Sequence, residues 1–106
     1  MSQHKIIIGL PVYNGQKYLE AAIDSHLAQS FSDFQIVISD NGSNDATEEI
    51  CTRYARQDSR ITYLRSPVNR GILWNHRRVL EPVNDATRYF RWAGADDVME
   101  PGLLAA

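Results

Sequence analysis

Two adjacent carboxylates, Asp96 and Asp97, follow the aromatic and apolar run Tyr89-Phe90-Arg91-Trp92-Ala93. Acid placed directly after a buried-strand pattern has a chemical use. At the carboxyl ends of strands in an open α/β sheet, where ligands bind, two neighbouring like charges repel unless a cation lies between them. A hard divalent ion held by oxygen is the common solution. A solvated loop after a strand is the plainer explanation of the same pair. Two further polar clusters favour chemistry, because each also follows an apolar run. These are Pro11-Val12-Tyr13-Asn14-Gly15 and Asp40-Asn41-Gly42-Ser43-Asn44-Asp45. On a parallel sheet all three clusters share one rim, so residues distant in sequence converge on one crevice.

Within the second cluster most residues have structural uses. Asn41-Gly42 is a turn dipeptide, and Asn44 and Asp45 are good helix caps. Asp40 is different: it ends an apolar strand where the fold has no need of charge, and its carboxylate could accept the imide N–H of a pyrimidine. Tyr13 offers a flat face for a base, although an aromatic after a strand is as often packing. The three histidines, His4, His26 and His76, are scattered, and the latter two fall on helix faces as packing or surface residues. No GxGxxG or GxxxxGK[ST] motif follows a strand, and no Ser-His-Asp, Cys-His or zinc-ligand spacing exists. Cys51, the single cysteine, excludes an internal disulfide and fits a small core residue in a reducing compartment such as the cytoplasm.

The elements that must carry these clusters are set by hydrophobic period. Residues 5–10, 34–40, 61–65 and 88–94 are short β-branched or aromatic runs closed by turn residues, and predict strands. Leu19, Ile23 and Leu27 form one face of a helix over residues 15–29, which Asn14 could cap. Asp45-Ala46-Thr47-Glu48 has capping-box spacing ahead of a stripe of Ile50, Cys51 and Tyr54. Ile72, His76, Val79, Leu80 and Val83 predict a third helical face ending near Pro82, and Glu100-Pro101 opens another helix. Strands alternating with helices imply βαβ units: an α/β fold with a mainly parallel sheet, right-handed crossovers and helices on both faces.

Composition agrees with one globular domain in 106 residues, 43% hydrophobic and 23% charged. A formal charge of −2 offers no field for nucleic acid or an anionic membrane. No apolar run is long enough to span a bilayer, and no signal peptide is visible. Leu103-Leu104-Ala105-Ala106 begins an apolar helix face without a cap, which predicts the front portion of a longer protein.

In this order and spacing the segments form a specific set: Pro11-Val12-Tyr13-Asn14, Tyr18-Leu19, Ala22-Ile23-Asp24-Ser25, Gln29-Ser30-Phe31, residues 33–47, Asn69-Arg70-Gly71, and Ala95-Asp96-Asp97 with Pro101. The chain closely resembles the N-terminal, nucleotide-sugar-binding half of family 2 glycosyltransferases with the Rossmann-like GT-A fold. The resemblance implies that Pro11, Val12 and Tyr13 line the base pocket and that Asp40 reads the nucleobase. It implies that Asp97 ligates Mg²⁺ or Mn²⁺ within a DxD-type motif whose first position here is Ala95. Asp96 would reach the ribose or the metal's water shell, and Arg70 would face the nucleotide. It also implies inverting transfer from a nucleoside-diphosphate sugar to a carbohydrate or lipid-linked acceptor, in the cytoplasm or at the membrane's cytoplasmic face.

Two departures stand out. Asn41 follows Asp40 where many relatives carry a second Asp, and no candidate for the catalytic base lies within 106 residues. This chain alone is therefore expected to bind donor and metal without transferring sugar, and to self-associate through uncovered apolar surface. Two other readings stay open. A sugar-nucleotide nucleotidyltransferase would want a glycine-rich, Arg-containing loop after the first strand. A non-catalytic, receiver-like α/β binding module would carry its acids there.

Overall fold

The first two strand segments, IIIGLPV and FQIVISDN, carry apolar residues on both sides of the pleat, a pattern satisfied only where both faces of a sheet are covered. In a computed structural model that describes residues 6–28, 33–83 and 89–93, they are the two central strands. Strands β1 (Ile6–Val12), β2 (Phe34–Asn41), β3 (Ile61–Ser66) and β4 (Tyr89–Trp92) alternate with helices α1 (Leu19–Leu27), α2 (Thr47–Gln57) and α3 (Ile72–Arg78). All pairings are parallel, in the order β3-β2-β1-β4. The expected fold class and the four strands are present. The expected helix at Glu100-Pro101 lies outside the described residues.

The order reverses at β1, because the chain winds from β1 through β2 to β3 and then returns to the far side of β1. With crossovers of one hand, the helix of the returning connection must lie on the opposite face. The packing follows that rule. Leu19 and Ile23 of α1 and Cys51 of α2 pack on Ile8, Leu10, Ile36 and Ile38, whereas Val79, just after α3, packs on Ile7 and Val37 across the sheet. The reversal leaves a crevice at the carboxyl ends of β1 and β4, the topological switch point. Pairing of β1 with β4 stops at Gly9 and Trp92, so Pro11 lies beyond the ladder and its missing N–H interrupts nothing on that side.

Gly9 is needed at the middle of β1. A Cβ there would lie 2.6 Å from Phe90 Cζ and 2.7 Å from Val79 Cγ2, so its absence lets both side chains close on the sheet.

The helices differ from expectation in ways with identifiable causes. Helix α1 begins at Leu19 rather than near residue 15, and its N-terminus has no side-chain cap. Asn14 is left-handed, with φ 51°, and its side chain accepts from Asn44 N instead of capping. Asp45 accepts the N–H of Thr47 at 2.9 Å, one residue short of capping-box geometry. On α3 the buried positions are Asn75 and the following Val79, while Ile72 is 78% exposed. The predicted face was therefore displaced around the helix: a buried asparagine, invisible to hydrophobic period, takes its centre.

Candidate functional site

Three loops meet at the carboxyl rim, and side chains hold them together. The loop after β1 and the loop after β2 exchange five bonds: Asn14 N to Ser43 Oγ (2.8 Å), Gly15 N to Thr47 Oγ1 (2.9 Å), Gln16 N to Asp45 Oδ2 (3.3 Å), Asn44 N to Asn14 Oδ1 (2.9 Å) and Ala46 N to Gln16 Oε1 (2.9 Å). Each serves a backbone N–H near a helix start that has no helical acceptor. Gly42, at φ 77°, meets the third loop so closely that a Cβ would lie 2.6 Å from the Val68 carbonyl carbon and 2.7 Å from Asn69 N.

Asn41 pins the third loop. Its Nδ2 donates to Asn69 Oδ1 (2.9 Å) and Gly71 O (3.1 Å), and its Oδ1 accepts from Arg70 N at 2.8 Å. Both amide hydrogens are thus committed, which a carboxylate at this position could not reproduce. Asn75 does the same for α3. Its Oδ1 accepts from Ser39 Oγ at 2.6 Å, and its Nδ2 donates to Ser39 O (2.9 Å) and Val12 O (3.5 Å), tying the helix to the ends of β1 and β2.

Between these elements lies an open cleft of about 270 Å³ lined by Pro11, Val12, Tyr13, Asn41, Asn69, Ile72, Asn75 and His76. Its lining is apolar at Pro11, Val12 and Ile72 and includes the carboxamide residues Asn41, Asn69 and Asn75, and Tyr13 is half exposed. Such a lining suits a flat heterocycle with polar edges.

The sequence-derived candidates divide. Pro11, Val12 and Tyr13 line the cleft. Asp40 does not, because strand alternation turns it to the face covered by α1 and α2. It is fully buried, its Oδ1 accepts Ser43 N at 2.9 Å, and its Oδ2 accepts the Tyr63 hydroxyl at 2.6 Å. Arg65 Nε stands 3.9 Å away. The charge that had no obvious structural use has one: it organises the loop that holds Asn14, next to Tyr13. Burial, then the bond to Asp40, pushes the Tyr63 hydroxyl far above its ordinary pKa. Burial, with the charges of Asp40 and Asp45, raises the Cys51 thiol to about 12, so Cys51 is an inert core residue.

Arg70 also departs from expectation. Its backbone N–H donates to Asn41 Oδ1, but its guanidinium lies over the Trp74 ring, 5.5 Å from the centroid, and its Nε donates to Ser66 Oγ at 3.2 Å. Asn41, Asn69, Ile72, Asn75 and His76 are lining residues that were not site candidates in the sequence. The Asn-x-Gly pattern at residues 69–71 was the one available signal for this loop. Asp96 and Asp97 lie outside the described residues. The chain leaves β4 at the switch point, where Ala93 N donates to Gly9 O at 2.8 Å, and the two acids follow three and four residues later. Among the described residues no cluster of three His, Cys, Asp or Glu side chains could hold a metal, and no helix is long and apolar enough to cross a membrane.

Comparison with known proteins agrees with this architecture. The chain is 33% identical over 96 residues to the glycosyltransferase GlyA of Streptococcus pneumoniae serotype 4, which covers 91% of this chain and 13% of GlyA. It is 36% identical over 106 residues to the uncharacterised glycosyltransferase RP339 of Rickettsia prowazekii, covering 93% of this chain and 29% of that protein. The chain thus spans less than a third of the length of either relative. Among solved structures, S. aureus TarS 1–349 in complex with UDP superimposes with a TM-score of 0.84 at 22% identity, over 95% of this chain and 30% of that one. The mannosyltransferase PcManGT of Pyrobaculum calidifontis, in complex with GDP-Man and Mn²⁺, gives 0.77 at 18% identity, over 92% of this chain and 29% of that one. Both neighbours share the GT-A fold. The model of glycosyl transferase family 2 matches residues 7–106, and the chain belongs to that family.

Proposed function

We propose that this chain is the donor-binding portion of a longer glycosyltransferase and holds a nucleoside-diphosphate sugar at the carboxyl rim of its sheet. The observation that carries this reading is the cleft at the switch point, where the ends of β1 and β2 and the start of α3 converge. The fold neighbours TarS and PcManGT, in complexes with UDP and with GDP-Man, support it.

Pro11, Val12, Tyr13 and Ile72 supply the walls for the nucleobase. Asn41 and Asn75 fix those walls, and Asp40 acts as a positioning residue behind them. Asp97, with Asp96 beside it, would hold Mg²⁺ or Mn²⁺; two hard oxygen donors suit either ion. When bound, such an ion supplies Lewis-acid stabilisation of a departing diphosphate. Transfer also requires a carboxylate that deprotonates the acceptor hydroxyl, with attack opposite the leaving group and inversion at the anomeric carbon. We assign no residue of this chain to that role. The acceptor is a carbohydrate or lipid-linked hydroxyl compound. No observation favours the nucleotidyltransferase or receiver-like readings.

Calorimetry on the full-length protein tests the assignment. A nucleoside diphosphate is expected to bind more tightly with Mn²⁺ than without it, and Asp97→Ala is expected to abolish the difference. Metal dependence unchanged in Asp97→Ala would remove Asp97 as the ligand.

A further inference from the structure

Helix α3 turns a second surface outward, away from the sheet. Asn75 and the following Val79 are buried against the strands, so Leu73 and Arg77, each about 200° round the helix from Asn75, point the other way. Both are exposed, and Ile72 and Leu80 flank them as exposed apolar residues. Beside them Trp74 is within cation–π reach of two guanidinium groups, Arg70 at 5.5 Å and Arg78 at 5.2 Å from its ring centroid. The whole-chain charge of −2 conceals the charge of this face: residues 61–83 carry four arginines and a single acid, Glu81. Arg65 stands 3.9 Å from Asp40 and 3.5 Å from Glu48. Among the described residues Arg70, Arg77 and Arg78 have no carboxylate within ion-pair distance. The acids Glu20, Asp24, Glu48 and Glu49 lie on α1 and α2, across the sheet.

We propose that this outward face of α3 docks the full-length protein on an anionic phospholipid surface, with Leu73 and Ile72 in the interfacial zone and Arg70, Arg77 and Arg78 on the lipid phosphates. Apolar side chains alone suit any hydrophobic partner; unneutralised arginines among them select a negative one. The outward side of a helix is a ridge, whereas peptides are held in grooves or along strand edges. A bilayer surface needs no groove. Apolar side chains enter the acyl boundary, tryptophan sits at headgroup level, and arginine stems lie along the apolar surface with their charges in water. Ile72 belongs to both surfaces, since it also lines the cleft. Docking therefore sets the cleft mouth beside the lipid, where lipid-linked acceptors reside. That consequence rests on the donor-binding reading above; the docking itself does not.

Sedimentation of the full-length protein with vesicles tests the inference. Vesicles of equal parts phosphatidylglycerol and phosphatidylcholine are expected to bind it, vesicles of phosphatidylcholine alone to bind it far more weakly, and added salt to weaken the first. Each arginine near an anionic surface is worth about fivefold in partitioning. Arg77→Gln should therefore lower binding about fivefold, and Arg77→Gln with Arg78→Gln about twenty-five-fold. Adding Leu73→Gln should lower it again. None of these three side chains lines the cleft, so UDP affinity in solution should stay at the wild-type value, which also reports that the variants are folded. Equal binding to both vesicle types, or binding that survives the triple substitution, overturns the inference. Absence of vesicle binding overturns it too; if Leu73→Gln then dissociates an oligomer, the occupant of this face is a second copy of the chain. Failure of UDP to bind the wild type would overturn the donor reading and leave docking standing.

Discussion

Asp40 shows what one buried charge does for this rim. Both its oxygens are taken, by Ser43 N–H and the Tyr63 hydroxyl, and Ser43 in turn accepts Asn14 N–H. Removing the Tyr63 hydroxyl leaves a buried carboxylate with one partner fewer, and bonds to charged groups are worth about 1.5–3 kcal/mol. Tyr63→Phe is expected to lower unfolding free energy by about that amount in urea titrations, with donor affinity reduced as the Ser43 loop loosens. Unchanged stability would mean that Arg65, now 3.9 Å from the carboxylate, moves in to replace the hydroxyl. That Asp40 mattered was legible in the sequence, since an acid ends an apolar strand. Its direction was not, because placing it on the α1–α2 side rather than in the cleft depends on the register of β2 against β1. Asn41, one residue later and so on the other face, lines the cleft instead.

At the scale of elements, strands were read within about two residues because a buried parallel strand is a continuous apolar run. The start of α1 was misread because N–H groups ahead of it are satisfied by side chains that follow β2, a long-range fact that local capping rules do not contain. Hydrogen bonds from Thr47 and the Gln16 backbone outweigh burial, which by itself raises the pKa, and hold Asp45 below its ordinary value. The Arg60 side chain does the same, against burial, for Asp58 at the end of α2. A depressed folded pKa means that the unfolded chain binds more protons between the two values. The stabilisation is therefore complete above the ordinary carboxylate range and lost as pH falls through the folded values. Urea midpoints should drop as pH is lowered from 5 towards 2, and Asp45→Asn should flatten that drop; an unaltered slope would show that the Asp45 bonds contribute nothing. Gly42 locks the second loop to the third. Gly42→Ala would place a Cβ against backbone at 2.6 Å in a left-handed conformation. A loss of about 1–3 kcal/mol together with weakened nucleotide binding is expected by denaturation and calorimetry, and wild-type behaviour in both would show that the loops do not need this contact.

For the whole molecule, the convergence of strand ends was legible from the alternation of elements, whereas the cleft's lining was not, because the buried position of α3 is Asn75, a polar residue that hydrophobic period does not register. The face around α3 and β4 carries exposed apolar residues, with Ile72 at 78%, Leu73 at 65% and Trp92 at 50%. Among the described residues β4 has no strand on its outer side. Edge pairing over such a surface is expected to make the 106-residue chain self-associate; light scattering should report a dimer or larger species, and a monomer at all concentrations would contradict this. The claim on which the rest depends is that the cleft at the ends of β1 and β2 is where a donor nucleotide sits. A crystal structure of the full-length protein with UDP or GDP tests it directly. The base is expected between Pro11, Tyr13 and Ile72, above Asn41 and Asn75. A base seated elsewhere, for example in the groove of Glu20, Glu49 and Arg53 between α1 and α2, would contradict it.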